Sequence, residues 1–227
     1  MIDPETIRNL IALVPAAVIA ISFHEAMHGY AADRLGDHTA RLEGRLTLNP
    51  LAHLDIIGSI IIPIALYLFA GFVFGYAKPV PVNPYNLRNP RRDMAIVAAA
   101  GPAVNLALAF VSAILLRVVG LFDMGSTLAQ WIILPIAAFL ALSIVVNVIL
   151  ACFNLIPIPP LDGGRILVGI LPREWADAVS KVEPYGIMIV LILVLLDPFG
   201  IMRHTLFAIN DGLLKLFMGT IAGVGSM

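Results

Sequence analysis

The chain has 227 residues, of which 60% are hydrophobic and 13% are charged. About a quarter of the residues of a soluble domain are charged, so this composition indicates an integral membrane protein. The 14 basic and 15 acidic residues nearly cancel, which excludes the polybasic signature of a nucleic-acid-binding protein. The single cysteine, Cys152, leaves no intrachain disulfide, and its apolar neighbours favour a packed thiol over a nucleophile.

Apolar segments long enough for membrane helices recur along the chain. A hydrocarbon core of about 30 Å needs about 20 apolar residues in a helix. This length predicts four segments and a marginal fifth, namely Ile7 to Ala32, Ile56 to Tyr76, Met94 to Val119, Leu128 to Phe153 and Tyr185 to Leu196. The tail from His204 to Met218 includes polar residues and is typical of an interfacial amphipathic helix. We therefore expect an all-α membrane protein, a polytopic helical bundle of about five to six membrane segments.

Residues 24 to 28 read His-Glu-Ala-Met-His and lie inside the first apolar segment. Histidines four residues apart share one face of a helix, so His24 and His28 can reach one metal ion with Glu25 beside them. Two ligands and one general base are the arrangement of a metalloprotease. The alternative is a structural His/Glu hydrogen-bond cluster, which the burial of three ionisable groups in one apolar helix disfavours.

The segment from residue 77 to residue 84 contains three prolines and predicts an extended strand. Basic residues cluster in three loops, at Arg34, Arg41 and Arg45, at Lys78, Arg88, Arg91 and Arg92, and at Arg165, Arg173 and Lys181. All three clusters prefer the cytoplasmic side, which is impossible if Ile56 to Tyr76 makes a simple crossing. A strand over residues 77–84 that returns through the protein resolves the conflict and would border a watery cleft. The alternative is an ordinary interfacial loop.

A catalytic zinc site needs a third protein ligand, and Asp162 is the best candidate. It lies in the stretch from Asn154 to Arg165, whose three prolines and two glycines exclude a continuous helix after the fourth segment. A helix that ends here can bend a carboxylate into the site. Asp162 could instead cap a short helix that begins near Arg165.

Three motifs together resemble the site-2 protease family of intramembrane zinc metalloproteases. They are the His-Glu-Ala-Met-His pentad, Gly101-Pro102-Ala103-Val104-Asn105, and the stretch from Asn154 to Gly163. The resemblance covers Phe23 to Arg165 and is greatest to compact prokaryotic members without PDZ or CBS domains. It implies one membrane-embedded metalloprotease domain over residues 1–227, with a catalytic core at about 5–170 and membrane or interfacial helices at about 182–220. It also implies a multi-pass protein of the prokaryotic inner or plasma membrane.

The resemblance implies a role for each motif residue. His24, His28 and Asp162 would hold one zinc ion per chain, and Glu25 would polarise its water and pass the proton to the leaving amine. Asn154 would steady the substrate carbonyl or oxyanion, unless it only makes a helix-end hydrogen bond.

The substrate must present a backbone amide, and a helix hides its amides in its own hydrogen bonds. We therefore expect a transmembrane protein substrate that unwinds locally and adds as a strand to the segment 77–84. The residues predicted to bind it are Pro79, Val80, Pro81, Val82 and Asn105, although Asn105 could instead pin helix contacts. The other partner is the lipid bilayer, while a regulatory membrane partner and a homo-oligomer stay open.

The competing class is a membrane metal-binding or metal-transport protein that uses His24, His28 and Asp162. Glu25 argues against it, because a transport site has no need of a general base at that position. A catalytically dead scaffold is disfavoured because every expected catalytic position is filled. His53 and Asp55 could form an accessory metal or gating contact, but interfacial polar residues are the simpler interpretation.

Overall fold

A computed structural model describes residues 4–53, 55, 57–61, 77–122, 127, 129–196, 212, 215 and 216. Its α-helices are α1 (Pro4–Arg34), α2 (Thr39–Leu42), α3 (Pro90–Val119), α4 (Leu134–Asn154), α5 (Asp162–Ile170), α6 (Arg173–Ser180) and α7 (Glu183–Leu196). Short 3₁₀ turns lie at Pro50–Ala52 and Pro84–Asn86, and π-helical turns lie at Ile57–Ile61 and Ala129–Ile133. These residues contain no β-strand, which confirms the all-α prediction.

Three of the described helices are long and apolar enough to cross a membrane: Ile11–Arg34, Pro90–Val119 and Ala129–Asn154. They correspond to the first, third and fourth predicted segments. Proline in the first turn is compatible with a helix, because the amide there needs no intrahelical partner, and both α3 and α4 begin in this way. The membrane class is therefore confirmed.

The remaining predicted segments are described only in part. Residues 62–76 of the second segment lie outside the described residues, and so does almost all of the tail 204–218. The fifth segment is helical in α7, whose 14 described residues are fewer than the roughly 20 that a spanning helix needs. The described residues thus support three spans, and the expected total of five to six is not confirmed.

Helices α1, α3 and α4 pack against one another, and α5 packs against α3. The core between α3 and α4 is built from Ala109, Ala113, Ile144, Val148 and Cys152. The buried side of α1 is a row of alanines, and small residues let helix backbones approach closely in a membrane. Cys152 is a buried free thiol within this core, as its apolar neighbours predict.

Residues 77–83, which we call the strap, form neither helix nor strand and run beside the second half of α1. Val80 is buried there because it lies against Gly29, where an added Cβ would be only 2.9 Å from Val80 Cγ1. The Arg45 guanidinium donates to Lys78 O at 3.1 Å and to Pro79 O at 3.2 Å. The non-helical segment predicted near residues 77–84 is therefore present and held against α1.

Asp37 anchors the far end of the strap. Its carboxylate accepts hydrogen bonds from the Asn83 amide at 2.7 Å and from Asn86 Nδ2 at 2.9 Å. Thr39 adds two further donors, its hydroxyl and its amide, with the amide at 3.1 Å. Burial raises the pKa of the Asp37 carboxyl, but these hydrogen bonds outweigh it and the pKa lies below its usual value.

Candidate metal centre

The three predicted ligands meet at one point of the bundle. Helix α1 places His24 and His28 one turn apart, with ring centroids 4.7 Å apart and ring planes at 86°. Asp162 is the first residue of α5, and its Oδ2 lies 3.1 Å from His24 Nε2 and 3.4 Å from His28 Nε2. Two ligands about 2.0–2.1 Å from a tetrahedral zinc ion are themselves roughly 3.3 Å apart. These spacings fit a zinc site.

The hydrogen bonds of the two imidazoles assign their protons. His28 Nδ1 lies 2.8 Å from Val97 O, and His24 Nδ1 lies 2.6 Å from Asn105 Oδ1. Both oxygens only accept, so each Nδ1 carries the proton and each Nε2 presents a lone pair. Asp162 Oδ2, which faces both Nε2 atoms, is buried and has no hydrogen-bond donor. With neutral imidazoles these three electron-rich atoms repel one another, and a metal cation among them would offset that repulsion.

Gly101 on α3 makes room for the histidine rings. A Cβ at this position would lie 2.6 Å from His24 Cε1 and 2.6 Å from His28 Cε1 and Nε2. Glycine inside a helix costs about 1 kcal/mol relative to alanine, so it needs such a packing reason. Sequence reasoning included Gly101 only as part of a motif and missed this role, although an interior helical glycine is the signal that could have indicated it.

Asp162 reaches the histidines because α5 begins against the chain segment that follows α4. A Cβ on Gly163 would lie 2.2 Å from Leu155 O, and one on Gly164 would lie 2.1 Å from Pro159 N. Only glycine fits at both positions. The N-cap of α5 is Leu161, without a side-chain hydrogen bond, and Asp162 is the first helical residue. The geometry therefore favours a carboxylate directed at the histidines over a helix cap.

Glu25 lies beside the ligands and is half-buried. Its Oε2 accepts a hydrogen bond from the Val80 amide of the strap at 3.0 Å. Val80 stands between Pro79 and Pro81, which have no N–H, so this amide is an isolated donor in the strap. A cavity of about 1100 Å³ is lined by the three predicted ligands and by Glu25.

The other predicted site residues do not all lie on the cavity wall. Asn154 lines the cavity, but its Nδ2 donates to Leu150 O at 3.0 Å, which is the helix-end hydrogen bond considered as the alternative. The cavity wall also includes Pro79, Val80 and Val82 of the strap. Asn105 is fully buried between helices and lies behind His24, away from the cavity wall.

His53 and Asp55 lie apart from the metal centre. His53 is buried with its Nε2 2.8 Å from Thr47 O, and Asp55 accepts from the Gly58 amide at 2.7 Å. Within the described part of the chain, His24, His28 and Asp162 are the one group of three or more His, Cys, Asp or Glu side chains that could hold a metal ion. The accessory metal site considered for His53 and Asp55 thus has no support from the geometry.

Comparison with known proteins identifies the family. The model of peptidase family M50 matches residues 12–196. The chain is 38% identical over 207 residues to a Bacillus subtilis (strain 168) protein named zinc metalloprotease YwhC. The aligned residues cover 90% of each chain. It is 30% identical over 203 residues to zinc metalloprotease Rip2 of Mycolicibacterium smegmatis (strain ATCC 700084 / mc(2)155), covering 86% of this chain and 73% of the relative. No solved structure matches the chain.

The family match and the names of the relatives agree with the fold and with the predicted set of ligands. The apolar helices make the chain a membrane protein, and the relatives are named as zinc metalloproteases. The His-His-Asp group supplies ligand types that zinc accepts. The resemblance drawn from the motifs is confirmed, and the non-enzymatic alternative is overturned. The chain belongs to peptidase family M50, the site-2 protease family, and is a zinc-dependent membrane peptidase.

Proposed function

We propose that this peptidase is an intramembrane zinc metalloendopeptidase, which hydrolyses peptide bonds within or near the transmembrane segments of other membrane proteins. The observation that carries the proposal is the position of His24, Glu25 and His28 inside a helix apolar enough to cross a membrane. Ionisable side chains are expensive at such a position and mark a functional site. The cavity of about 1100 Å³ beside them leaves space for an unwound peptide and water.

His24, His28 and Asp162 hold the zinc ion. Zinc bound there would act as a Lewis acid that lowers the pKa of a coordinated water to about 7. The hydrogen bonds at Nδ1 of both histidines keep each Nε2 lone pair directed at the space that these rings share with Asp162. Gly101 has no Cβ and so leaves the space that the two rings occupy.

Glu25 moves the proton. The Val80 amide donates to Oε2 and orients the carboxylate, which takes a proton from the attacking water. The water oxygen bonds to the substrate carbonyl carbon, and the C–N bond of the peptide then breaks. Glu25 returns its proton to the leaving nitrogen, which departs as an amine.

The strap binds the substrate as an added strand, through Pro79, Val80, Pro81 and Val82. Within the described residues, Val80 O and Val82 N form no hydrogen bond and are available for strand addition. Asn154 contributes once its amide turns from Leu150 O toward the substrate carbonyl, where an N–H donor stabilises developing negative charge. The substrate segment is a transmembrane helix with helix-weakening residues.

The setting is a prokaryotic inner or plasma membrane, which the chain crosses several times. Relatives from Bacillus subtilis and Mycolicibacterium smegmatis support a prokaryotic membrane. Three spanning helices among the described residues support multiple crossings.

Glu25→Gln tests the proposal. The amide is the same size as the carboxylate but does not accept a proton, so cleavage should fall by at least about 10²-fold. Wild type, this variant and chelator-treated wild type are compared for cleavage of a single-span reporter in liposomes, with bound zinc measured in each sample. We expect cleavage by wild type alone, with zinc retained in the variant. Cleavage by Glu25→Gln at the wild-type rate would overturn the role of Glu25.

A further inference from the structure

A row of polar side chains leads from His24 into the apolar interior, away from the cavity. His24 Nδ1 lies 2.6 Å from Asn105 Oδ1, and Asn105 Nδ2 donates to Asn147 Oδ1 at 2.8 Å. Asn147 Nδ2 in turn donates to Ser143 O at 2.8 Å. The row ends in a hydrogen bond of 3.0 Å between the Ser143 and Ser112 hydroxyls. The row therefore joins α1, α3 and α4 by side-chain hydrogen bonds that begin at a predicted metal ligand.

The burial of this row is nearly complete. Asn105 and Asn147 are 0% exposed, and Ser143 and Ser112 are 6% and 7% exposed. Hydrogen bonds between membrane helices contribute only about 0.6 kcal/mol on average, while a buried amide without partners costs several times more. Helix association alone is thus a weak reason for two fully buried asparagines. Their contact with a metal ligand supplies a stronger one.

The donors of the row set the orientation of Asn105. Its Nδ2 donates to Ala20 O at 3.2 Å as well as to Asn147, so both N–H groups are used and Oδ1 must face His24. A flipped amide would lose both bonds and direct N–H groups at the imidazole. Asn147 is fixed in the same way, because its Nδ2 donates to the backbone at Ser143. Backbone carbonyls on α1 and α4 thereby determine which atom His24 meets.

We propose that Asn105 is a positioning residue for the zinc ligand His24, and that Asn147 holds Asn105 in the required orientation. Asn105 Oδ1 accepts the Nδ1 proton of His24 and so leaves the Nε2 lone pair toward His28 and Asp162. This inference rests on the zinc site of the proposed function and goes beyond it. It also gives Asn105 a role in place of the substrate contact predicted from sequence, since a residue with no exposed surface offers no group to a substrate.

His24 and His28 differ in one way that makes the proposal testable. His28 is oriented by a backbone carbonyl, Val97 O, which no substitution removes. His24 is oriented by a side chain, so substitution at Asn105 should disturb one ligand and leave the other in place. Loss of such an orienting partner typically weakens metal binding about 10–100-fold.

The experiment measures zinc affinity of the purified full-length protein by competition with a chelator. Asn105→Leu keeps the approximate size of the side chain and removes its acceptor, and we expect zinc affinity about 10–100-fold weaker. Asn147→Ala leaves Asn105 in place without its anchor and should give a smaller loss. Ser22→Ala is the matched control, because Ser22 is a buried hydroxyl on α1 that bonds within its own helix, to Val18 O. Its zinc affinity should equal that of wild type.

Cobalt substitution supplies a second readout, because the visible absorption of bound Co²⁺ reports its ligand geometry. We expect an altered spectrum for Asn105→Leu and an unaltered one for Ser22→Ala. Wild-type affinity and spectrum in folded Asn105→Leu would overturn the proposal. If that variant does not fold, Asn147→Ala decides, and unchanged zinc affinity there would overturn it. These affinities are measured without a substrate, so they stand whether or not the reporter is cleaved.

Discussion

Gly101 is the residue whose substitution tests the packing of the metal centre most directly. An alanine Cβ would lie 2.6 Å from atoms of both His24 and His28, closer than any ordinary contact. The rings would have to move, and with them the Nε2 atoms. We expect Gly101→Ala to weaken zinc binding by about tenfold or more and to reduce peptidase activity in parallel.

The control for Gly101→Ala is Gly120→Ala, at the end of the same helix. Its added Cβ would have its nearest neighbour, Arg117 O, at 3.4 Å, and its backbone conformation suits any residue. Zinc content and activity of this variant should match wild type. Full zinc occupancy in Gly101→Ala would show that the rings relax and that the close approach is unimportant.

The strap is the element that connects the wall of the cavity to Glu25. It has no regular hydrogen bonding of its own, so its position depends on groups at its two ends, chiefly Arg45 and Asp37. Displacement of the strap would break the hydrogen bond from the Val80 amide to Glu25 Oε2. Strap variants should therefore reduce cleavage while the zinc ligands stay intact.

Asp37→Asn tests the strap anchor and its pH dependence. The folded-state pKa of Asp37 is lowered, so its carboxylate stabilises the fold above the unfolded-state value of about 3.9 and loses that effect as pH falls through the folded-state pKa. We expect the variant to be about 1–3 kcal/mol less stable at pH 7, with reduced cleavage and unchanged zinc content. The difference from wild type should shrink below about pH 4 in thermal unfolding.

Glu43→Gln serves as the control for Asp37→Asn. Glu43 is an exposed acid close to Asp37 in the chain, and its substitution removes the same charge. It should leave unfolding and cleavage unchanged. A stability difference for Asp37→Asn that persists undiminished at pH 3 would contradict the assignment of a carboxylate anchor.

The metal centre joins parts of the molecule that are distant in sequence. Two of the proposed ligands lie on α1 and the third begins α5, after α3 and α4 have intervened. An ion that binds only the folded arrangement stabilises it by about 2.7 kcal/mol at a free concentration 100 times its dissociation constant. Removal of zinc by a chelator should therefore lower the apparent Tm of the whole protein.

Two variants sharpen the zinc-removal experiment. His28→Ala lacks a ligand and should show a much smaller change in Tm on chelation, whereas Glu25→Gln keeps all three ligands and should show the full wild-type change. Equal responses of wild type and His28→Ala would contradict the proposed site. Because this measurement needs no substrate, it tests the metal centre independently of cleavage.

Sequence reasoning succeeded where the relevant geometry is local. Composition and segment length predict membrane helices because burial in lipid requires about 20 apolar residues. The four-residue spacing of His24 and His28 places both on one helix face whatever the rest of the fold does. The prolines of the strap exclude a helix by their own geometry. The motifs also sufficed to predict the family, and the match to residues 12–196 confirms it.

Tertiary structure decided the contacts between elements. Asn105 lies 81 residues from His24 and Val80 lies 55 residues from Glu25, and no pattern in the sequence indicates which atoms of these pairs meet. The physical reason is that an apolar helix specifies which residues face inward only weakly, while the crossing point and rotation of packed helices depend on all of their side chains together. The sequence by itself thus determined the membrane helices, the histidine pair and the family. The positions of Asn105, Gly101 and the strap around that pair were set only by packing.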